Sequence, residues 1–336
     1  MQTLFYSIVL LFATFFWGYL FYKKDYHPQP FKVVAQIFGI GLFSMAPIFA
    51  YKAIYGNFLP GLAEYRLLEP FLKSAFLMGI ATFLFNLVLL SAILFAGSAL
   101  VACVLTFFKK DTFRNMLHAF REEELGFAAV GVMVALMAAA QSFAGKALGS
   151  VLLAGTLGSV MFLVVMEEYI KHLIVRFVDD KKLKDVDDAI TLSIMVGLAF
   201  AVIETLMYAI QGGDFSVVLY RAMLSLPIHL VASGIFGYYY GLARFADPLT
   251  GKAGGKLFLK TTSALHFLLT FRRSTVYAEK KIVEGLALAT LFHAACNVLF
   301  ELNLAFLVVP IVIIGLVMVS FLYKESHNLY RIVHAH

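Results

Sequence analysis

The chain has 336 residues, 61% of them hydrophobic and only 14% charged, with a mean hydropathy of +0.86. Soluble chains average about 45–50% apolar and about 25% charged residues, so this is the composition of an integral membrane protein. It excludes soluble enzyme folds, nucleic-acid binders and disordered proteins together. The net charge of +6 has to be read by position, because an excess of Lys and Arg in a membrane protein fixes topology.

Apolar runs of about 18–25 residues read as spanning helices. In chain order they fall near residues 3–22, 33–51, 83–108, 126–145, 151–175, 189–210, 217–242, 283–301 and 305–323. The expected fold is an all-α, polytopic transmembrane helical bundle of about nine spans. The first span lacks a positive n-region and is followed by Lys23 and Lys24, which marks a reverse anchor and not a cleaved signal peptide. With the N-terminus outside and the C-terminus cytoplasmic, twenty-one Lys and Arg residues fall inside, and outside there are only Lys52, Arg66, Lys73 and Lys146. The positive-inside rule requires such an asymmetry. The net charge is largely topology.

Three regions follow: a four-span part over 1–150 with no diagnostic residues, a core over 151–302 that includes a cytoplasmic loop at 243–282, and a final span and tail over 303–336. Between spans, Phe113, Met116, Leu117 and Phe120 form a stripe over 109–124 that reads either as a surface helix or as a solvated connector with a chance stripe. Residues 57–73 form an outer loop too polar to span. The glycines of ADPLTGKAGGK miss the GxxxxGK[ST] spacing of a phosphate loop and read as a flexible linker. Cys103 and Cys296 lie inside apolar runs and offer neither a disulfide framework nor a Cys-rich metal site.

An ionisable group at mid-bilayer costs at least about 2.5–3.5 kcal/mol, and here nearly all of them sit in the fifth to eighth spans. These are Glu167, Glu168, Lys171 and His172, then Glu204, then His229, then His293 beside Asn297. Residues three, four or seven apart share a helix face. Glu167 with Lys171, Gly197 with Phe200 and Glu204, and His293 with Asn297 all have that spacing. Four helices can thus bring three carboxylates, two imidazoles and an amide into one buried pocket. A desolvated carboxylate is a general base for water, and imidazole and carboxamide N–H groups can stabilise an oxyanion, so the set suits peptide-bond hydrolysis. No Gly-x-Ser-x-Gly elbow or Ser-His-Asp ordering is present. His172 and Arg176 are expected to snorkel toward the inner headgroups, and Arg221 to lie at the outer interface.

In order, Glu167-Glu168-x-x-Lys171, Gly197-x-x-Phe200-x-x-x-Glu204, His229 with Gly237, and His293-x-x-x-Asn297 resemble the motifs of the PrsW-type intramembrane proteases, within the CAAX-protease and ABI superfamily. The resemblance covers about residues 160–300. It implies an endopeptidase of the bacterial cytoplasmic membrane acting on a membrane-anchored protein substrate such as an anti-sigma factor. CAAX-processing relatives carry FxxxH where this chain has Phe200-x-x-x-Glu204, which argues against prenyl-protein processing. In this reading Glu167 is the general base, with Glu204 or His229 assisting. His293 and Asn297 hold the oxyanion, and Glu168 and Lys171 position the first carboxylate. No cofactor is favoured. Glu167, Glu204, His229 and His293 are nonetheless the right types for a Zn²⁺ site with an open position; against it stand the absence of HExxH and the ammonium of Lys171 beside Glu167. The rival class is a non-enzymatic membrane protein, either a proton-coupled carrier or a degenerate family member. A carrier should show pseudo-symmetric broken helices, whereas the polar residues here fill one half of the chain. The sequence does not give the oligomeric state.

Overall fold

The computed structural model describes residues 2–46, 151–178, 183–210, 215–250 and 273–334. Among them there is no strand. The helices are α1 (Gln2–Tyr22), α2 (Phe31–Gly41, continued by a 3₁₀ turn Leu42–Met45), α3 (Val151–Val178), α4 (Val186–Ile210), α5 (Phe215–Tyr220), α6 (Leu226–Arg244), α7 (Ala246–Thr250), α8 (Arg273–Glu301) and α9 (Ala305–Val333). Among the described residues, five segments are long and apolar enough to cross a membrane: Phe5–Tyr22, Val186–Ile210, Phe215–Arg244, Ser274–Glu301 and Ala305–Tyr330. The expected third and fourth spans, the 57–73 loop and the stripe over 109–124 lie outside the described residues.

The spans run longer than their apolar stretches, because helix continues past the last apolar residue wherever polar ends can reach water. The eighth expected span begins ten residues early, at Arg273. The inner loop expected over 243–282 is correspondingly shorter, and its start is the helical turn Ala246–Thr250. Between α8 and α9 the chain reverses at Asn303, which sits at φ 58° and lets Leu304 N–H reach the Leu299 carbonyl at 2.8 Å. Asn tolerates this left-handed geometry better than most side chains and closes the helix without glycine.

By contact the chain divides into two compact units, Met1–Leu42 with Lys171–His336, and Phe43–Ile170. In the first unit α6 is the central helix, packed against α4, α8 and α9, while α1 and α2 pack on α4. The span on α4 is 78% buried, against 22% for those on α1 and α9. The outer helices turn large apolar side chains outward, among them Phe12, Phe15, Ile314 and Val317. In water such a surface would drive association; against lipid tails it is the natural covering of a membrane bundle.

The α4–α6 crossing is closest at glycines, Gly197 and Gly237 among them. A Cβ at Gly197 would collide with the Ser233 side chain and come within 2.9 Å of the His229 carbonyl, and a Cβ at Gly237 would lie 2.7 Å from the Ala189 carbonyl. Small residues at such contacts let backbones approach. Gly197→Ala is therefore expected to push α4 from α6 at the level of His229 and to destabilise the protein by about 1–3 kcal/mol, the usual cost of overpacking. Thermal unfolding in detergent measures it, and an unchanged midpoint would contradict the close crossing.

Candidate active site

Within the first unit, one chain of polar contacts crosses three helices. Lys171 on α3 places Nζ 2.8 Å from His229 Nδ1 on α6. The other ring nitrogen, His229 Nε2, lies 3.0 Å from Glu204 Oε2 on α4. The same carboxylate oxygen meets Arg221 Nη2 at 2.6 Å. An ammonium only donates and a carboxylate only accepts, so Nδ1 of His229 is the acceptor and Nε2–H the donor. The flanking groups set the tautomer.

Each position has a local cause. Arg221 opens a π-helical turn, Arg221–Ser225, in the segment leading to α6; such turns insert a residue and cluster at functional sites. Pro227, which has no N–H to give to the preceding turn, follows directly in the same continuous helix. Lys171 lies 4.5 Å from the centre of the Phe200 ring, whose centroid is 5.4 Å from that of His229. The aromatic face thus holds the ammonium against the imidazole. The second imidazole, His293 on α8, stands edge-on to His229 with centroids 4.5 Å apart. Asn297 lies one turn on, its Nδ2 3.3 Å from His293 Nε2. The amide donates, so the ring proton of His293 is on Nδ1. His229 and His293 are 1% and 2% exposed, which makes this a dry site.

Of the residues expected from the sequence, Lys171, Glu204, His229, His293 and Asn297 are thus brought together. Glu167 and Glu168 lie on the part of α3 that belongs to the second unit and are both buried. Glu167 precedes Lys171 by one turn of the same continuous helix. Two expectations are corrected. Arg221 is no interfacial residue: its guanidinium pairs with Glu204 and stacks 4.1 Å from the Tyr208 ring, because a desolvated carboxylate draws the nearest cation inward. His172 does not snorkel: it is 0% exposed and packs edge-on against Phe236 and Tyr240 of α6, since the aromatic rings give the imidazole a packing partner inside the bundle.

A family model described as PrsW family intramembrane metalloprotease matches residues 124–323, a stretch that holds all four motifs. The chain belongs to the PrsW family. It is also similar to a protein named Protease PrsW from Geobacillus kaustophilus (strain HTA426), 33% identical over 84 residues, or 24% of this chain and 37% of that relative. The match thus spans little more than a third of the relative's length. No solved structure matches the chain. The matched stretch contains Glu167, Glu168, Lys171, Glu204, His229, His293 and Asn297.

The family description names a metal, and the residues can be tested against one. By type they fit: His229 and His293 offer ring nitrogens within 4.8 Å of each other, as in a catalytic zinc site. By hydrogen bonding, both lone pairs are already engaged, Nδ1 of His229 by Lys171 and Nε2 of His293 by Asn297.

Proposed function

We propose that the chain is an intramembrane endopeptidase that cleaves membrane-anchored protein substrates with water activated by Glu167. The observation that carries this reading is the ordered set Lys171, His229, Glu204 and Arg221 with His293 against it, brought together inside the helical bundle. Intramembrane groups of this cost persist for function. Glu204 accepts from both Arg221 and His229 and is therefore an orienting group rather than the base. That leaves Glu167, one helical turn from Lys171, to take a proton from water. The resulting hydroxide attacks the scissile carbonyl carbon, and the oxyanion takes hydrogen bonds from His293 Nδ1–H and from the second amide N–H of Asn297. Donors of this kind are worth about 2.7–4 kcal/mol each. As the C–N bond breaks, the proton held by Glu167 passes to the leaving nitrogen. Glu168 and Lys171 position Glu167, and His229, clamped at both nitrogens, positions Lys171.

An anti-sigma factor in the bacterial cytoplasmic membrane is the substrate class that agrees with the family. Comparing membrane-protein fragments from cells with the unaltered chain and with Glu167→Ala tests it: fragments present only with the unaltered chain name the substrate, and identical fragment sets contradict proteolysis.

A second reading follows from the paired imidazoles. A Zn²⁺ would be held by Glu167, His229 and His293, and it would polarise the carbonyl and acidify a bound water. The first reading expects cleavage to survive chelation, with elemental analysis verifying that zinc is gone. Loss of cleavage that Zn²⁺ alone restores selects the second.

A further inference from the structure

A second polar cluster lies away from the active site, where the segment between α1 and α2 meets the start of α4. Asp25, Asp185, Asp187 and Asp188 are 6%, 1%, 0% and 0% exposed. Part of their hydrogen-bonding capacity is met locally. Asp25 accepts from the Thr191 hydroxyl at 2.8 Å and the His27 N–H at 2.9 Å. Asp187 Oδ2 accepts from Tyr26 N–H at 3.2 Å. Asp188 Oδ2 accepts from Gln29 and from Lys184 N–H, each at 2.8 Å, and Asp185 Oδ1 from Asp188 N–H at 3.0 Å.

What is left points to a ligand. Asp185 Oδ2, Asp187 Oδ1 and Asp188 Oδ1 are buried with no hydrogen-bond partner. Among the described residues, the Lys184 ammonium acts electrostatically on Asp188, and His27 Nδ1 lies 3.5 Å from Asp185 Oδ2. One donor atom from each of His27, Asp185 and Asp187 lies within 4.8 Å of the others, close to the roughly 3–4 Å that separates ligands sharing an ion held at about 2.0–2.2 Å. The imidazole is 40% exposed at its side chain, so an ion can enter from outside. Its ring is fixed by stacking on Tyr330 of α9 at 4.2 Å.

We propose that His27, Asp185 and Asp187 form a binding site for a divalent transition-metal cation of the zinc or manganese kind, which fastens the α1–α2 segment to the start of α4. Three carboxylates with orphaned oxygens out of water need positive charge, whether from protons or from a cation. The imidazole sets the class, since calcium and magnesium sites are built from oxygen ligands. The same α4 carries Glu204 further along, so the fastened end and the active site share one helix.

Metal content and unfolding test this without any activity measurement. The full-length chain, purified in detergent, stripped with chelator and equilibrated with Zn²⁺ alone or Mn²⁺ alone, is expected to retain an equivalent of metal that His27→Ala and Asp187→Asn each lose. Their apparent affinity should fall by about tenfold or more, and the metal-dependent rise of the unfolding midpoint should vanish. His293→Ala should keep that equivalent, which separates the site from the active-site imidazoles. His27 is partly exposed on a connecting segment, so its variant remains informative if Asp187→Asn does not fold. Equal metal content in His27→Ala and the unaltered chain overturns the proposal. So does the absence of any metal beyond what His293→Ala removes, which would mean that protons alone satisfy the carboxylates.

Discussion

Glu167→Ala, Glu204→Ala and His293→Ala are each expected to reduce cleavage of a membrane-anchored reporter by about a hundredfold or more while the protein stays inserted. The size follows from the roles. Positioned acid–base groups contribute typically 10²–10⁴-fold, and one oxyanion donor contributes about 10²–10³-fold. Glu204→Ala acts indirectly, because it frees the His229 Nε2–H and leaves Arg221 without its carboxylate. Its variant should therefore lose thermal stability as well as rate. Retained cleavage in all three would remove the assignment. Loss in Glu204→Ala with full activity in Glu167→Ala would transfer the base role elsewhere.

Arg221→Ala is expected to lower the rate by about ten- to a hundredfold and to destabilise the protein by up to about 3–5 kcal/mol, the cost of breaking a buried ion pair and leaving one charge uncompensated. The Arg221 and Glu204 side chains are 16% and 17% exposed, so the lower end of that range applies. Arg221→Lys should recover part of both losses, because it restores a cation but not the planar contact with Tyr208. The effect should fall on kcat more than on KM, since the guanidinium acts through Glu204 and not on the substrate. An interfacial arginine would give neither loss. This substitution therefore separates the observed ion pair from the topology-only role that its place in the sequence implies.

Much of the candidate active site is legible in the amino-acid sequence, because the cost of a charge in lipid makes each buried ionisable residue conspicuous. Glu204, His229 and His293 stand out of apolar runs, and helical spacing puts Asn297 beside His293. The close approach at Gly197 is legible for the same reason of spacing. Arg221 is not, since its position at a span end is equally good for anchoring in headgroups, and only the π-helical turn and the neighbouring α4 place it against Glu204. His172 is hidden in the sequence because a histidine near a helix end looks the same whether lipid or Phe236 and Tyr240 await it. The aspartates around residues 185–188 carry a weak signal, three acids in four residues, which first-turn helix electrostatics alone would explain. Their encounter with His27 joins residues some 160 positions apart.

The sequence by itself determined that this is a helical membrane protein, which of its helices carry costly polar groups, and in what order the family's motifs fall. Those properties depend on transfer into lipid and on the 3.6-residue period, both of which act along one helix at a time. Only the tertiary structure decided that Lys171 holds His229, that His229 and Arg221 converge on one oxygen of Glu204, and that His27 faces Asp185. How helices are rotated about one another is set by side chains interlocking between them, as where Gly197 admits Ser233, and no single helix contains that information.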